Sequence, residues 1–240
     1  MTALASLKRR LRPRSWLKAA STGIAVRLGL LRRIRPLRRD FGIGRGTPID
    51  RHYIEGFLER HRADIRGAVL EAGGYVNYTR RFGGGQVARA EVLYPKPGFA
   101  DGTLVGNLAT GEGIPEGAFD CLVLTQVFPF IYDLQGAVAS CKRALRPGGV
   151  LLVTVPGISQ ICGYDREHWG DYWRFTRQSL ERLLGDTFGG ENVAVEAHGN
   201  VFAACAFLHG LTAEDLTATE LAHHDDAFQL TIAGRAVNSP

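Results

Sequence analysis

The feature that most narrows the fold is a set of short apolar runs without strict alternation, each closed by turn residues. They read AVLEAG (68 to 73), ARAEVLY (88 to 94), GTLVGNL (102 to 108), FDCLVLTQ (119 to 126) and GVLLVTVP (149 to 156). Such runs suit strands buried on both faces, as in a parallel sheet. A helical stretch, LQGAVASCKRALR (134 to 146), separates two of them and ends at Pro147-Gly148-Gly149. Upstream, IDRHYIEGFLERHRADI places Ile49, Tyr53, Ile54, Phe57, Leu58 and Ile65 at spacings of three and four, which predicts an amphipathic helix beginning after Pro48 and closed by Gly67. Downstream, residues 177 to 188 read as a helix, 192 to 200 as a strand, Val201 to Asp226 as helical, and 228 to 237 as a last strand. Strands alternating with helices predict a doubly wound α/β sheet.

Charge divides the chain in two. Of its 29 Lys and Arg, twelve lie in residues 1 to 40 against one acid, Asp40, which leaves 17 basic and 23 acidic residues in the remainder. The expected organisation is a basic, partly helical arm over 1–47 and an α/β domain over 48–240, with Pro36 and the glycines of FGIGRGTPID marking the joint. The arm's longest apolar run is broken by Arg27, well short of the roughly 20 apolar residues that span a bilayer. It lacks a clean apolar core and small-residue cleavage site, so it is not read as a signal peptide. Trp16, Ile24, Val26, Leu28, Leu30, Leu31 and Ile34 among arginines fit peripheral contact of residues 1–40 with anionic lipid or an acidic partner, beside the plainer reading of a solvated extension. Nucleic acid is disfavoured, since the body is acidic and no nucleic-acid motif accompanies the arm. Cys121, Cys141, Cys162 and Cys205 show neither C-x-x-C nor zinc-ligand spacing, so no metal site is expected and a cytoplasmic setting is, perhipheral to the inner membrane surface if the arm holds lipid.

In an open parallel sheet the ligand binds beyond the carboxyl ends of the strands, where the first strand turns outward. VLEAGG is the candidate for that strand, with Glu71 at its tip and Gly73 and Gly74 permitting a tight turn. From these residues alone, a strand ending in an ordinary Gly-Gly turn reads equally well.

The succession VLEAGG, FDCLVLTQVFPFIYDL and CKRALRPGGVLLVTVPG resembles the class I S-adenosylmethionine-dependent methyltransferases. The resemblance spans roughly 48 to 237 and is most specific at LRPGGVLLVTVPG. It implies a Rossmann-like, mostly parallel seven-stranded sheet with an antiparallel last strand, and S-adenosylmethionine as cofactor. It implies a cofactor role for Glu71, Gly73, Gly74, Tyr94, Asn107, Gln126 and Phe128. Asn107 stands where the family usually has an acid beside the adenine, and an amide both donates and accepts there. Gln126 and Phe128 follow the fourth strand, where side chains reach the sulfonium. Asp120 is read as fixing the start of that strand. Two departures stand out: Tyr75 and Asn77 occupy the last two glycine positions of the loop, and Tyr94 stands where an acid for the ribose is usual. The same departures argue against a nicotinamide dinucleotide.

GYDREHWGDYWRFT supplies the expected acceptor side. His168, Asp165 and Asp171 are candidate bases, His168 foremost because its ordinary pKa near 6.5 lets it take a proton near neutrality. Trp169, Tyr172, Trp173 and Arg174 are candidate substrate contacts, aromatic planes beside hydrogen-bonding groups that suit a small molecule or saccharide. For Trp173 and Phe175 packing over the sheet edge is the plainer role. His198 is an outlying base candidate, and His223-His224 read as a solvated turn. The expected function is methyl transfer to oxygen or nitrogen of such an acceptor. The alternative is a methyltransferase-like module without catalysis, motivated by Tyr75, Asn77 and Tyr94.

Overall fold

The computed structural model describes residues 33–73 and 76–239. Arg38–Pro240 forms a compact unit, so the body begins before the expected boundary at 48. Phe41 explains the difference: its ring lies 5.5 Å from that of Phe207, and the backbone N–H of Arg38 donates to the His209 carbonyl.

Seven strands form one sheet: β1 (Gly67–Ala72), β2 (Val87–Tyr94), β3 (Leu104–Val105), β4 (Phe119–Thr125), β5 (Leu145–Pro156), β6 (Val193–His198) and β7 (Thr231–Val237). Their order is β3-β2-β1-β4-β5-β7-β6. The first five are parallel, and β7 runs antiparallel to both β5 and β6. The expected doubly wound sheet with an antiparallel last strand is therefore present. The carboxyl ends of β1 to β5 lie along one edge.

Alternate residues of the central strands feed two cores. Leu70, Leu122, Leu124, Leu151 and Val153 face one side, while Val69, Cys121, Val123, Val150 and Leu152 face the other. On the second side α1 (Ile49–Arg60) buries Ile54, Phe57 and Leu58, the predicted stripe. On the first side lie α2 (Leu134–Ala144), capped by Asp133 accepting from the Gly136 N–H at 2.9 Å, and α4 (Arg177–Phe188), capped reciprocally by Thr176 and Ser179. Between them in sequence is the short α3 (Gly163–His168). The segment after β6 holds α5 (Val201–Leu208) and α6 (Ala218–Ala222), tied together by Asn200, whose Oδ1 caps Ala203 while Nδ2 donates to the carbonyls of Glu220 and His223.

Several elements are shorter than expected, two of them near the sheet's carboxyl edge or its central strands. The stretch 102 to 108 contributes only Leu104 and Val105 to the sheet, because the Asn107 N–H turns back to the Glu112 carbonyl at 2.8 Å. The helix 134 to 146 stops at Ala144, since Leu145 already pairs with Phe119 in the sheet.

Candidate functional site at the carboxyl edge

Glu71 is the penultimate residue of β1 and is 4% exposed. Its Oε1 accepts from the Tyr78 N–H at 3.0 Å and its Oε2 from the Thr79 N–H at 2.9 Å. The carboxylate therefore shapes the turn leaving the strand. Burial pushes its pKa up, against the opposing pull of those backbone hydrogen bonds. The turn continues into one π-helical turn, Thr79–Gly83, where many nucleotide folds have a long helix. Gly83, Gly84 and Gly85 stop it, being poor helix formers. Asn77 is not in the left-handed region, which among the described non-glycine residues only Phe41 and Gln126 enter; its Oδ1 caps the turn by accepting from the Arg80 N–H at 2.9 Å. Gly74 and Tyr75 lie outside the described residues.

Gly73 donates its N–H to the Leu93 carbonyl at the end of β2. A Cβ there would meet the Tyr94 ring at 2.2 Å, so the glycine is required by the tyrosine packed on it. Tyr94 stacks on Phe99 at 3.9 Å and donates its hydroxyl to Asp101 Oδ1 at 3.0 Å. The negative charge of Asp101 adds to the upward push on Glu71. Sequence reading missed Asp101, which lies seven residues past β2 in a loop that folds back to bring its carboxylate to the Tyr94 hydroxyl. Asn107, exposed after β3, uses its Oδ1 to accept from the Ala109 N–H at 2.9 Å.

Gln126 follows β4 with φ of 58°, although it is neither glycine nor asparagine. Its backbone N–H donates to the Thr154 carbonyl at 2.8 Å, while its Nε2 is buried without a hydrogen-bond partner. Thr154 Oγ1 on β5 is orphaned in the same way. A strained backbone and an unmet buried donor each cost about 1–3 kcal/mol. Such costs gather where a ligand compensates them. Phe128 is fully buried and anchors the turn after Gln126 in the larger core.

Beyond β5, the predicted acceptor residues separate by role. Asp171 and Arg174 are braced together: Arg174 Nη2 donates to Asp171 Oδ2 at 3.0 Å and to the Gln160 carbonyl at 2.6 Å. Trp173 donates its indole N–H to the Ile131 carbonyl at 3.1 Å and packs on the core, the plainer role anticipated for it. Tyr172 is half exposed and meets Tyr132 edge-on at 5.4 Å. Asp165 accepts the Trp169 N–H on its backbone carbonyl within α3. His168 is exposed, and its Nδ1 lies 2.7 Å from the Tyr164 carbonyl. Because a carbonyl only accepts, Nδ1 carries the proton and Nε2 is left as a lone-pair base. Aromatic contacts run unbroken from Tyr94 to Phe99, to Trp169 at 5.7 Å, to His168 at 6.4 Å and to Tyr164 at 4.0 Å. Lys96 Nζ sits 4.7 Å from the Trp169 ring centre. The fold thus gathers Glu71, Gly73, Tyr94, Trp169 and His168 along one edge. His198 stands apart, stacked on Tyr53 and 3.2 Å from Glu196, and His224 pairs with Asp226 at 2.9 Å.

The groups present fit a nucleoside ligand. The Tyr94 hydroxyl and Asp101 carboxylate suit sugar hydroxyls, the Gln126 amide is a donor in want of an acceptor, and Glu71 holds the turn beneath them.

Residues 82–153 match a family model described as "Methyltransferase domain". The match begins after the glycine turn and takes in β2 to β5. A protein of Mycolicibacterium smegmatis named "Probable S-adenosylmethionine-dependent methyltransferase/" is 37% identical over 70 residues, which are 29% of this chain and 25% of that protein. The matched segment thus spans a quarter of the length of that relative. Among solved structures, a SAM dependent methyltransferase from Archaeoglobus fulgidus superposes with a TM-score of 0.51 at 10% identity, over 78% of this chain and 93% of that one. The Haemonchus contortus phosphoethanolamine N-methyltransferase 2 in complex with S-adenosyl-L-methionine gives 0.53 at 16%, over 97% and 61%. The [4+2]-cyclase SpnF gives 0.53 at 14%, over 92% and 96%. At these identities the likeness establishes the fold.

Proposed function

We propose that this chain, which has the fold of the S-adenosylmethionine-dependent methyltransferases and a segment matching their domain model, transfers a methyl group to an oxygen or nitrogen of a small molecule or saccharide. The observation that carries the reading is Gln126, whose left-handed backbone and orphaned Nε2 stand at the carboxyl end of β4. S-adenosylmethionine, when bound, supplies a methyl group on a positively charged sulfur, already activated for in-line displacement. The chain's own work is binding, orientation and one proton transfer. Tyr94 and Asp101 would hold the ribose hydroxyls, Asn107 the adenine edge and Gln126 a ligand acceptor atom. Glu71, together with Gly73, would keep the turn in shape.

His168 Nε2 takes the proton from the acceptor as the new bond forms, its tautomer fixed by the Tyr164 carbonyl. Trp169 and Tyr172 would line the acceptor's path, with Asp165 beside them on α3. Asp171, Arg174 and Trp173 keep that loop in place. A specific observation favours a second reading, a binding module without catalysis: the Tyr94 ring lies against Gly73 and is stacked by Phe99, covering the turn. SpnF, named as a cyclase, also cautions that one fold hosts several chemistries.

The test is S-adenosylhomocysteine release with a panel of sugars and phenols, comparing wild type with His168→Gln. Loss of a base is expected to lower kcat about 10²–10⁴-fold with cofactor affinity unchanged. Turnover unaffected by the substitution would remove His168 from the role, and no turnover with any acceptor would favour the module. We place the chain in the cytoplasm, where its four free cysteines stay reduced, with the basic arm on an anionic lipid surface. No helix among the described residues is long and apolar enough to cross a membrane.

A further inference from the structure

We propose that the outer side of α5, with the segment 38–45 packed beside it, docks on the surface of an anionic lipid bilayer. This goes beyond methyl transfer and does not depend on it. The helix reads VFAACAFL and contains no polar residue. Its inner side buries Ala203, Ala204, Ala206 and Phe207 against Ile49 and Tyr53 of α1. Its outer side leaves Val201 51%, Phe202 44% and Leu208 36% exposed. Val201 and Leu208 are two helical turns apart, so they share a face. A helix that is apolar all round is normally buried on all sides, and this one is not.

Segment 38–45 is anchored at the carboxyl end of α5. Arg38 donates its N–H to the His209 carbonyl, Phe41 packs on Phe207, and Gln160 Nε2 donates to the Arg39 carbonyl at 2.8 Å. Ile43, two residues past Phe41, is 54% exposed, and Ile161, next to Gln160, is 60% exposed.

Charge selects the occupant. In segment 38–45, Arg38 is paired with Asp40 and Arg45 with Asp215, so Arg39 is the segment's surplus cation; at Arg38 the chain continues into residues 1 to 37, which hold ten Lys and Arg and no Asp or Glu. Apolar side chains beside concentrated positive charge match the two attractions a bilayer offers, insertion at the headgroup boundary and attraction to anionic lipid. A second copy of the chain fits less well, since it carries the same net positive charge, +5. Because α5 follows the carboxyl end of β6, and β6 runs parallel to β5, the docked helix begins at the sheet edge that carries the candidate site.

The full chain is to be sedimented with phosphatidylcholine vesicles with and without phosphatidylglycerol. Binding is expected only with the anionic lipid and is expected to weaken with salt. The double variant Phe202→Ser and Leu208→Ser is expected to bind at least tenfold more weakly, with its thermal melt and S-adenosylmethionine affinity retained. A second variant, Phe202→Trp, guards against a folding artefact: its emission is expected to shift to the blue when anionic vesicles are added. Absence of wild-type binding, or full binding by the double variant that is abolished by reversing Arg32, Arg33 and Arg35 to Glu, would overturn the proposal. So would a wild-type dimer that the double variant converts to monomer, which would assign the face to a second copy. Cofactor titration without vesicles reads the methyltransferase reading separately, so each fails by its own measurement.

Discussion

Gln126 combines a φ of 58° with an amide nitrogen that finds no partner, and ending a strand requires neither. Glycine at this position would adopt the same backbone without strain and would remove the orphaned donor. Gln126→Gly is therefore expected to stabilise the protein by about 1 kcal/mol, raising Tm by about 2–4 °C for a domain of this size. The same change is expected to weaken S-adenosylmethionine binding at least tenfold, and differential scanning with and without cofactor reads both effects. A variant that is less stable, or that binds as well as wild type, would make Gln126 a structural residue. The position of Gln126 was legible, since it directly follows the FDCLVLT run. Its conformation was not, because φ depends on how the chain leaves the sheet. Asp101 escaped notice for a related reason: it lies seven residues past the end of β2, and only the folding back of that loop returns it to Tyr94. Asn77 stood out in the sequence for occupying a glycine position of the loop, whereas its side chain caps the following turn.

At the level of elements, the sheet was legible because its strands are apolar on both faces, and α4 was read to its observed ends because Thr176 and Gly189 bound it. The connection from β1 to β2 was harder to read. Three consecutive glycines reduce its helix to a single π-helical turn, and Glu71 is committed to that turn's backbone. A different electrostatic tie fixes β6 to α1. Glu196 is held down to about 2 by the neighbouring His198 imidazole, and by the Arg60 guanidinium at the end of α1. A carboxyl whose folded pKa is depressed contributes stability above its ordinary pKa and loses it as pH falls through the folded value. Wild type is thus expected to lose stability relative to Glu196→Gln as pH drops from about 4.5 to about 2, the two converging at the acid end. Urea unfolding across that window reads the difference; a constant offset between the two proteins would show that Glu196 does not set the acid limb.

Across the whole molecule, one sheet edge collects the unusual features. Orphaned polar atoms at Gln126 and Thr154, the Tyr94–Asp101 pair, and the aromatic series from Tyr94 through Trp169 to His168 come from the ends of different strands. Parallel β1 to β5 place them together, as expected of a ligand site in an open α/β sheet. The family-model match over 82–153 omits β1 and its glycine turn, so binding at this edge rests on the geometry of those residues. The most direct measurement is calorimetric titration of the folded, monodisperse protein with S-adenosylmethionine, repeated with Asp101→Asn. Micromolar binding is predicted, weakened about tenfold in the variant by loss of a charge-assisted hydrogen bond. No heat from wild type, or undiminished wild-type affinity in both Asp101→Asn and Gln126→Gly, would contradict the assignment of the cofactor site to this edge.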